Sequence, residues 1–472
     1  MTYLLLLPIL LPVLTAAIAW LKPVKGTLIP LLILEAAAVL ACACTATGSF
    51  TAPCVPGMDF MLAADRIGLI FAVLFSVMFL LAGIFGFEYL HERLGTYYVF
   101  YCLTEAAMIG LCFAGNLLTF YLFYEAMTLL SFPLVLHEGT ESARRAAVKY
   151  LGYSLFGAAL ALFGFFTVAG ATKGAVFTAG GALTAPATPL LLAAALAMII
   201  GFGGKAGMIP LHDWLPTAHP EAPAPASAVL SGVITKGGVL GILRTVYYLF
   251  GADTLRGTYV QQVVLLLALL TIFTGSMLAY KEKVLKKRLA YSTVSQVSYV
   301  VFGLLLLQPY AFGGAILQAV FHAVAKVCLF LCAGAFICKT GKTRVGELGG
   351  IGRSMPLPLF CFACAGLSLI GIPPFAGFVS KWYLAEGSLA AFPAYGWIGA
   401  AVLLVSALLT AGYLLVPVSK GFFPGGDFHA PRIACGPCIN IPLALLAAAA
   451  LLLGLFPGQL ITWLSGIASG LM

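Results

Sequence analysis

IGFGGKAGMIPLHDWLPTAHPEAPAPASAVLSGVITKGGVLGILR, residues Ile200 to Arg244, joins two long apolar runs, and each run holds a lysine where hydrocarbon is expected. Lys205 closes the run PLLLAAALAMIIGFGG, and Lys236 sits inside VLSGVITKGGVLGIL. A lysine at bilayer depth costs roughly 2.5–3.5 kcal/mol on insertion scales. Glycines flank both lysines, and Pro210, Pro216, Pro220, Pro223 and Pro225 punctuate the connection. These residues free backbone carbonyls, which a membrane tolerates only where protein or water satisfies them. A broken apolar segment beside a buried ionisable group is the usual place of an ion path. Snorkelling to an interface is the plainer reading of the two lysines. For Lys236 it is disfavoured, because another apolar turn follows before Arg244 supplies a natural edge.

The rest of the chain fits that setting. It is 62% hydrophobic and 9% charged, with a mean hydropathy of +1.07, which describes an all-α polytopic membrane protein. The first run, Tyr3 to Trp20, lacks a basic leader and a small-residue cleavage site, so it reads as a span rather than a signal. Fourteen apolar runs of helical length lie near 3–20, 27–46, 66–87, 97–114, 117–136, 148–170, 188–208, 226–250, 259–280, 289–307, 311–338, 357–385, 395–418 and 441–464.

The basic residues test this segmentation. Loops after odd-numbered runs hold seventeen, and LKKRL (Leu285 to Leu289) is the densest group. Loops after even-numbered runs hold four: Arg66, Lys173, Arg244 and Arg256. The positive-inside rule then puts the odd loops in the cytoplasm and both termini outside. The remaining lysines, Lys205, Lys236, Lys326 and Lys381, fall within runs. Lys326 is four residues after His322, so both project from one helix face. Lys381 follows the Pro373-Pro374 break in LSLIGIPPFAGFVSKWYLAEG, and Trp382 and Tyr383 beside it also suit an interfacial anchor.

Three acids lie within runs: Glu35, Glu105 and Glu125. Glu125 is well inside the fifth, where an unpaired carboxylate protonates or finds a cation, and Lys205 is the candidate. Glu105 is mid-span and is expected to pair or to face a neighbouring subunit. Glu35 reads as a helix contact only. The seventh and twelfth runs are both broken, both carry a lysine and lie five spans apart. Residues 97–250 and 259–418 therefore read as two inverted five-helix repeats, each with a broken helix, preceded by three spans in 1–96 and followed by a loop and last span in 419–472.

Other motifs carry less. Cys361-Phe-Ala-Cys364 and Cys435-Gly-Pro-Cys438 have CxxC spacing, but one lies in an apolar run and the other in a short loop, away from any βαβ context. His212, Asp213, His219 and Glu221 read as a polar turn capping the broken helix. No Walker loop or dinucleotide fingerprint is present, and no nucleic-acid partner is implied.

With those residues in view, the sequence resembles the antiporter-like membrane subunits shared by respiratory complex I, Mrp-type cation/proton antiporters and membrane-bound hydrogenases. The resemblance rests on KAGMIPLHDWLPTAHPEAPAPASAVLSGVITKGGVLGILR, KKRLAYSTVSQVSYV, HAVAKVCLFL and GIPPFAGFVSKW, in that order along the chain. It implies that Glu125 is the fifth-helix glutamate paired with the seventh-helix Lys205. Lys236 then begins a central polar axis that continues through His322 and Lys326 to Lys381 near the exit. Hydroxyls of Thr235, Ser292 and Ser295 would bridge gaps, with Glu105 and His212 as auxiliary groups. The chain's end at Met472 leaves no room for the long lateral helix of the distal complex I subunit, which implies another member. The family further implies a bacterial or archaeal cytoplasmic membrane, companion membrane subunits, a peripheral redox arm, and protons, with Na+ as a further candidate ion. Iron–sulfur, flavin or nickel–iron centres are expected in partners and no cofactor in this chain. A self-contained Na+ or K+/H+ exchanger and a non-transporting scaffold are the alternatives.

Overall fold

The structure is a computed structural model, and it describes residues 2–45, 48–172, 174–183, 186–392, 396–425 and 431–472. Lys173, counted above among the basic loop residues, lies outside them. A 3-10 turn (Thr2–Leu6) leads into α1 (Leu7–Leu21), followed by α2 (Lys25–Thr45). A hairpin of β1 (Ser49–Val55) and antiparallel β2 (Met58–Ala63) comes next, an element the helical reading omits. Then follow α3 (Arg66–Tyr89), α4 (Leu94–Phe113), α5 (Leu117–Leu136), α6 (Glu141–Ala169), α7 (Pro189–Ala206) and α8 (Leu215–Glu221). The second part holds α9 (Ala224–Phe250), α10 (Tyr259–Lys281), α11 (Leu285–Leu305), α12 (Pro309–Thr340), α13 (Pro356–Ile370), α14 (Ala376–Ala391), α15 (Gly396–Phe422), α16 (Pro437–Leu455) and α17 (Gly458–Leu471).

Twelve helices among the described residues are long and apolar enough to cross a membrane, and the chain is an integral membrane protein. The fourteen apolar runs differ from the helices in three places, the first two of which account for the lower count. The tenth run is α11, whose basic first turn and buried Ser292, Thr293, Ser295, Gln296 and Ser298 lower its apolarity. The twelfth divides at Gly371 into α13 and α14. The fourteenth runs across the end of α16 into α17.

Burial sorts the helices into centre and rim. All of the apolar window of α9 and 94% of that of α12 lie inside the protein, against 33% for the first span. These two central helices carry Lys236, His322 and Lys326. The rim turns apolar side chains such as Leu10, Leu14, Leu266, Leu404 and Leu408 outward, as a lipid-facing surface requires.

Both broken helices share a construction. Gly207 (φ 88°) and Gly371 (φ 92°) end α7 and α13 in the left-handed conformation that favours glycine, and cis peptides Ile209–Pro210 and Pro373–Pro374 follow. Helix α9 is itself irregular, with π-helical turns at Leu230–Ile234 and Arg244–Phe250 on either side of its central segment.

Arg244, read as the edge of its run, is also a tie between helices. It is 2% exposed and makes a bidentate pair with Asp65, Nη1–Oδ2 at 2.6 Å and Nη2–Oδ1 at 2.7 Å. The Tyr248 and Phe177 rings cover it at 4.4 and 5.1 Å. Asp65 also caps α3 through Gly68 N. One carboxylate therefore fixes the start of α3 and the last turns of α9 together. In LKKRL, Lys286 and Arg288 are buried and donate to the carbonyls of Pro220 and Ala222, and of Glu282 and Tyr413, respectively.

Candidate functional site: a buried line of polar side chains

Lys205 stands in the last turn of α7, fully buried. Its ammonium donates to Tyr150 Oη at 3.0 Å and Ser154 Oγ at 2.8 Å, both on α6. The rings of Tyr150, Tyr124 and Trp214 surround it at 4.5, 5.9 and 5.9 Å. Trp214 also donates to Gly204 O at 2.9 Å, which satisfies a carbonyl freed at the helix end. Glu125 makes no ion pair with Lys205 within 4.0 Å, so the direct contact expected from the sequence is absent. The two charges still act on one another, and Glu125 Oε1 is buried with no hydrogen-bond partner. The hydroxyls of α6 supply the contacts instead.

Lys236 lies on α9 next to the α7 crossing. A Cβ on Gly238 would sit 3.1 Å from Lys205 Cβ and 2.4 Å from Phe202 O, so glycine there allows the two helices to close on each other. Lys236 Nζ donates to Ser231 O at 2.8 Å and meets His322 Nδ1 at 2.6 Å. Two nitrogens at that distance need one proton between them, and two full charges there repel. This contact joins a residue of the first predicted repeat to one of the second. His322 Nε2 is buried and unpartnered.

Lys326, four residues on, donates to Leu289 O at 2.8 Å and to Ser292 Oγ. Thr293 Oγ1 donates to the same Leu289 carbonyl at 3.0 Å and meets the Oγ of Ser231 at 2.7 Å, the residue whose backbone carbonyl accepts from Lys236. On the other side of His322, Gln318 Nε2 donates to Gln296 Oε1 at 2.9 Å, and Ser380 Oγ donates to Gln318 Oε1 at 2.7 Å. Ser380 precedes Lys381. The Lys381 ammonium donates to Leu369 O at 2.7 Å and Ile370 O at 2.8 Å, the carbonyl end of α13, where a cation is favoured. Tyr299 lies under it at 5.3 Å. A Cβ on Gly371 would come within 2.9 Å of Lys381 Cδ, so the break makes room for the lysine stem. Lys381 is therefore a buried-end ligand of carbonyls rather than an aromatic-belt anchor.

Of the residues read from the sequence, the structure brings Lys236 into contact with His322 and Lys326 into contact with Ser292, while Lys205 and Lys381 hold separate sets of partners. Thr235 donates to Ser231 O at 2.7 Å, the carbonyl that Lys236 also uses. Ser295 sits apart, in a cluster with Ser276 and Ser406 at 2.7 and 3.2 Å. His212 stands on the turn after α7, its Nδ1 unpartnered, beside the Asp213–Lys149 ion pair. Glu105 faces Glu35 rather than the line. Sequence reading passed over Tyr150, Ser154, Gln296, Gln318 and Ser380, and took His219 for part of a polar cap. Gln318 had a signal, since 318, 322 and 326 share one helical face. His219 is fully buried with both ring nitrogens unpartnered, stacked on Phe330 at 4.8 Å. Its charge neighbours are Lys286, Lys326 and Lys236. Cys361 and Cys364 adjoin Cys328 and Cys332 on α12, yet the described residues hold no group of three His, Cys, Asp or Glu placed to bind a metal.

Residues 114–410 match the family described as NADH:quinone oxidoreductase/Mrp antiporter, transmembrane. A relative from Desulforudis audaxviator, an N-type subunit of NADH-quinone oxidoreductase, is 34% identical over 83% of this chain and 81% of its own length. The chain belongs to this antiporter-like family. A Na(+)/H(+) antiporter subunit of Alkalihalophilus pseudofirmus is 32% identical over 77% of the chain and 72% of that relative. Among solved structures, a chain of respiratory complex I from Thermus thermophilus superposes with a TM-score of 0.85 at 25% identity, covering 99% of this chain and 100% of that one. A chain of the archaeal membrane-bound sulfane sulfur reductase also reaches 0.85, at 27% identity over 98% and 77%. Both complex I and Mrp branches lie at similar distance, so membership of the antiporter-like family is the level these likenesses establish.

Proposed function

We propose that this chain is a proton-translocating antiporter-like subunit of a redox-driven ion-pumping complex. Protons move along Glu125, Lys205, Lys236, His322, Lys326 and Lys381. The contact between Lys236 and His322 carries this reading, because it places two titratable groups of the central helices within one proton hop. Burial disfavours the charged form of a lysine and a nearby carboxylate favours it, so each proton movement changes the affinity of the next site. The paired constructions at Gly207 and Gly371 support two inverted repeats, and the basic-residue asymmetry supports both termini outside the cytoplasm. Driving energy is assigned to companion subunits that carry redox centres, in a bacterial or archaeal cytoplasmic membrane. His219, between Lys286 and the axis, is a candidate for proton uptake.

Likeness to an antiporter subunit at 32% identity favours a second reading, membership of an Mrp-type assembly driven by a cation gradient. A mild-detergent pull-down of the tagged chain with mass spectrometry separates the two. Co-purifying iron–sulfur or dehydrogenase subunits support the redox complex. Recovery with family-related membrane subunits only supports the Mrp type, and recovery of the chain alone overturns both.

Gln318 tests the segment between His322 and Lys381. Gln318→Leu keeps the volume and removes both amide contacts. Proton transport by the intact complex is expected to fall roughly tenfold, a barrier change of about 1.4 kcal/mol. An unchanged rate removes Gln318 from the path.

A further inference from the structure

Two acids that the lysine line does not use come together elsewhere. Glu35 of α2 and Glu105 of α4 are 1% and 2% exposed, and their carboxyl groups face each other. Glu35 Oε1, Glu35 Oε2 and Glu105 Oε2 are buried and accept from no donor. Neither residue makes an ion pair with a lysine, arginine or histidine among the described residues. The groups that reach the pair from packed helices are Thr15 of α1 and, on α4, Tyr101 and Cys102. Tyr101 donates its hydroxyl hydrogen to Phe79 O at 2.6 Å, and Thr15 donates its own to Leu11 O at 3.1 Å. Both hydroxyl groups are thus engaged with backbone carbonyls, and neither forms a hydrogen bond to the two carboxyl groups.

Two ionised carboxylates in a buried site without cations repel each other and lose all hydration. A proton between them removes one charge and supplies the missing donor. We propose that Glu35 and Glu105 form a proton-holding site inside the membrane, separate from the lysine line, in which the two carboxyl groups share one proton. It makes the helices α1, α2 and α4 part of the titrating machinery and not only packing.

Dicyclohexylcarbodiimide tests this on the intact complex in native membranes. The reagent is apolar and reacts with protonated carboxyl groups. The acid proton adds to one nitrogen and the carboxyl oxygen to the central carbon, giving an O-acylisourea that rearranges to a stable N-acylurea. Peptide mass spectrometry then locates the adduct. In the unmodified chain, labelling on Glu35 or Glu105 is expected to persist at about pH 8, where an ordinary carboxyl group is ionised. Glu35→Gln removes the neighbouring charge that favours proton retention, so Glu105 labelling at that pH is expected to drop at least about threefold. Glu105→Gln should do the same to Glu35. Unchanged labelling in both variants overturns the shared proton, as does failure to label either residue while other membrane carboxyl groups react. Protection by Na+ at constant ionic strength also overturns it, since the site would then hold a metal cation. These readouts are independent of transport through Lys205 and Lys236.

Discussion

Replacing Lys236 with alanine is expected to lower proton transport by the intact complex at least about tenfold, equivalent to about 1.4 kcal/mol or more on the barrier. The expectation follows from position. Lys236 Nζ and His322 Nδ1, 2.6 Å apart, form the direct side-chain contact between the polar groups of α9 and α12. Alanine leaves His322 without that partner, while Ser231 O keeps the Thr235 hydroxyl as a donor. Lys236→Met keeps the stem and removes only the ammonium, so it separates loss of packing from loss of the proton carrier. His322→Ala should produce a similar loss, and the double variant should lose little more, because both act at one step. Additive losses would show that the two residues serve different steps. Transport at the unmodified rate in Lys236→Met would show that protons bypass this contact.

Replacing Arg244 is expected to cost stability rather than transport chemistry. The guanidinium is buried, paired in two-pronged fashion with Asp65 and covered by Tyr248 and Phe177. Removing one partner of a buried ion pair typically costs about 3–5 kcal/mol, because the other charge is left uncompensated. Arg244→Leu should therefore lower the thermal midpoint of the purified complex sharply, and Asp65→Asn less so, since the amide still accepts one bond. Arg244→Leu combined with Asp65→Leu should recover part of the loss. An unchanged midpoint in the single Arg244→Leu variant would contradict the role of this pair in tying α3 to α9.

The four intraspan lysines and His322 were legible because a cation in an apolar run is conspicuous. Their partners were not. Tyr150 and Ser154 are ordinary residues on a span, and nothing local marks them as ligands of a lysine on the next helix. The carbonyls of Leu369 and Ile370 leave no trace in side-chain identity at all; only the break at Gly371 hinted at them. Glu125 and Lys205 were paired by type, but the hydroxyls of α6 intervene. Arg244 was legible as the end of an apolar run but its ion pair was not, because its partner Asp65 lies far back in the chain. Glu35 read as a helix contact only, because its neighbour Glu105 is on another helix and helix pairing was beyond what apolar spacing shows. The same limit explains the count of spans: α11 is buried by its neighbours and need not be apolar enough for lipid.

The most direct test is pH-gradient formation in proteoliposomes that carry the intact complex with Lys205→Ala, measured alongside turnover of its driving reaction. Lys205 is held by Tyr150 and Ser154 inside an aromatic enclosure, and it is the first lysine after Glu125 on the proposed path. The expected result is loss of the pH gradient of at least about tenfold, with Lys205→Arg unable to restore it because an arginine does not release its proton. Gradient formation at the unmodified rate in Lys205→Ala would contradict proton movement along this line.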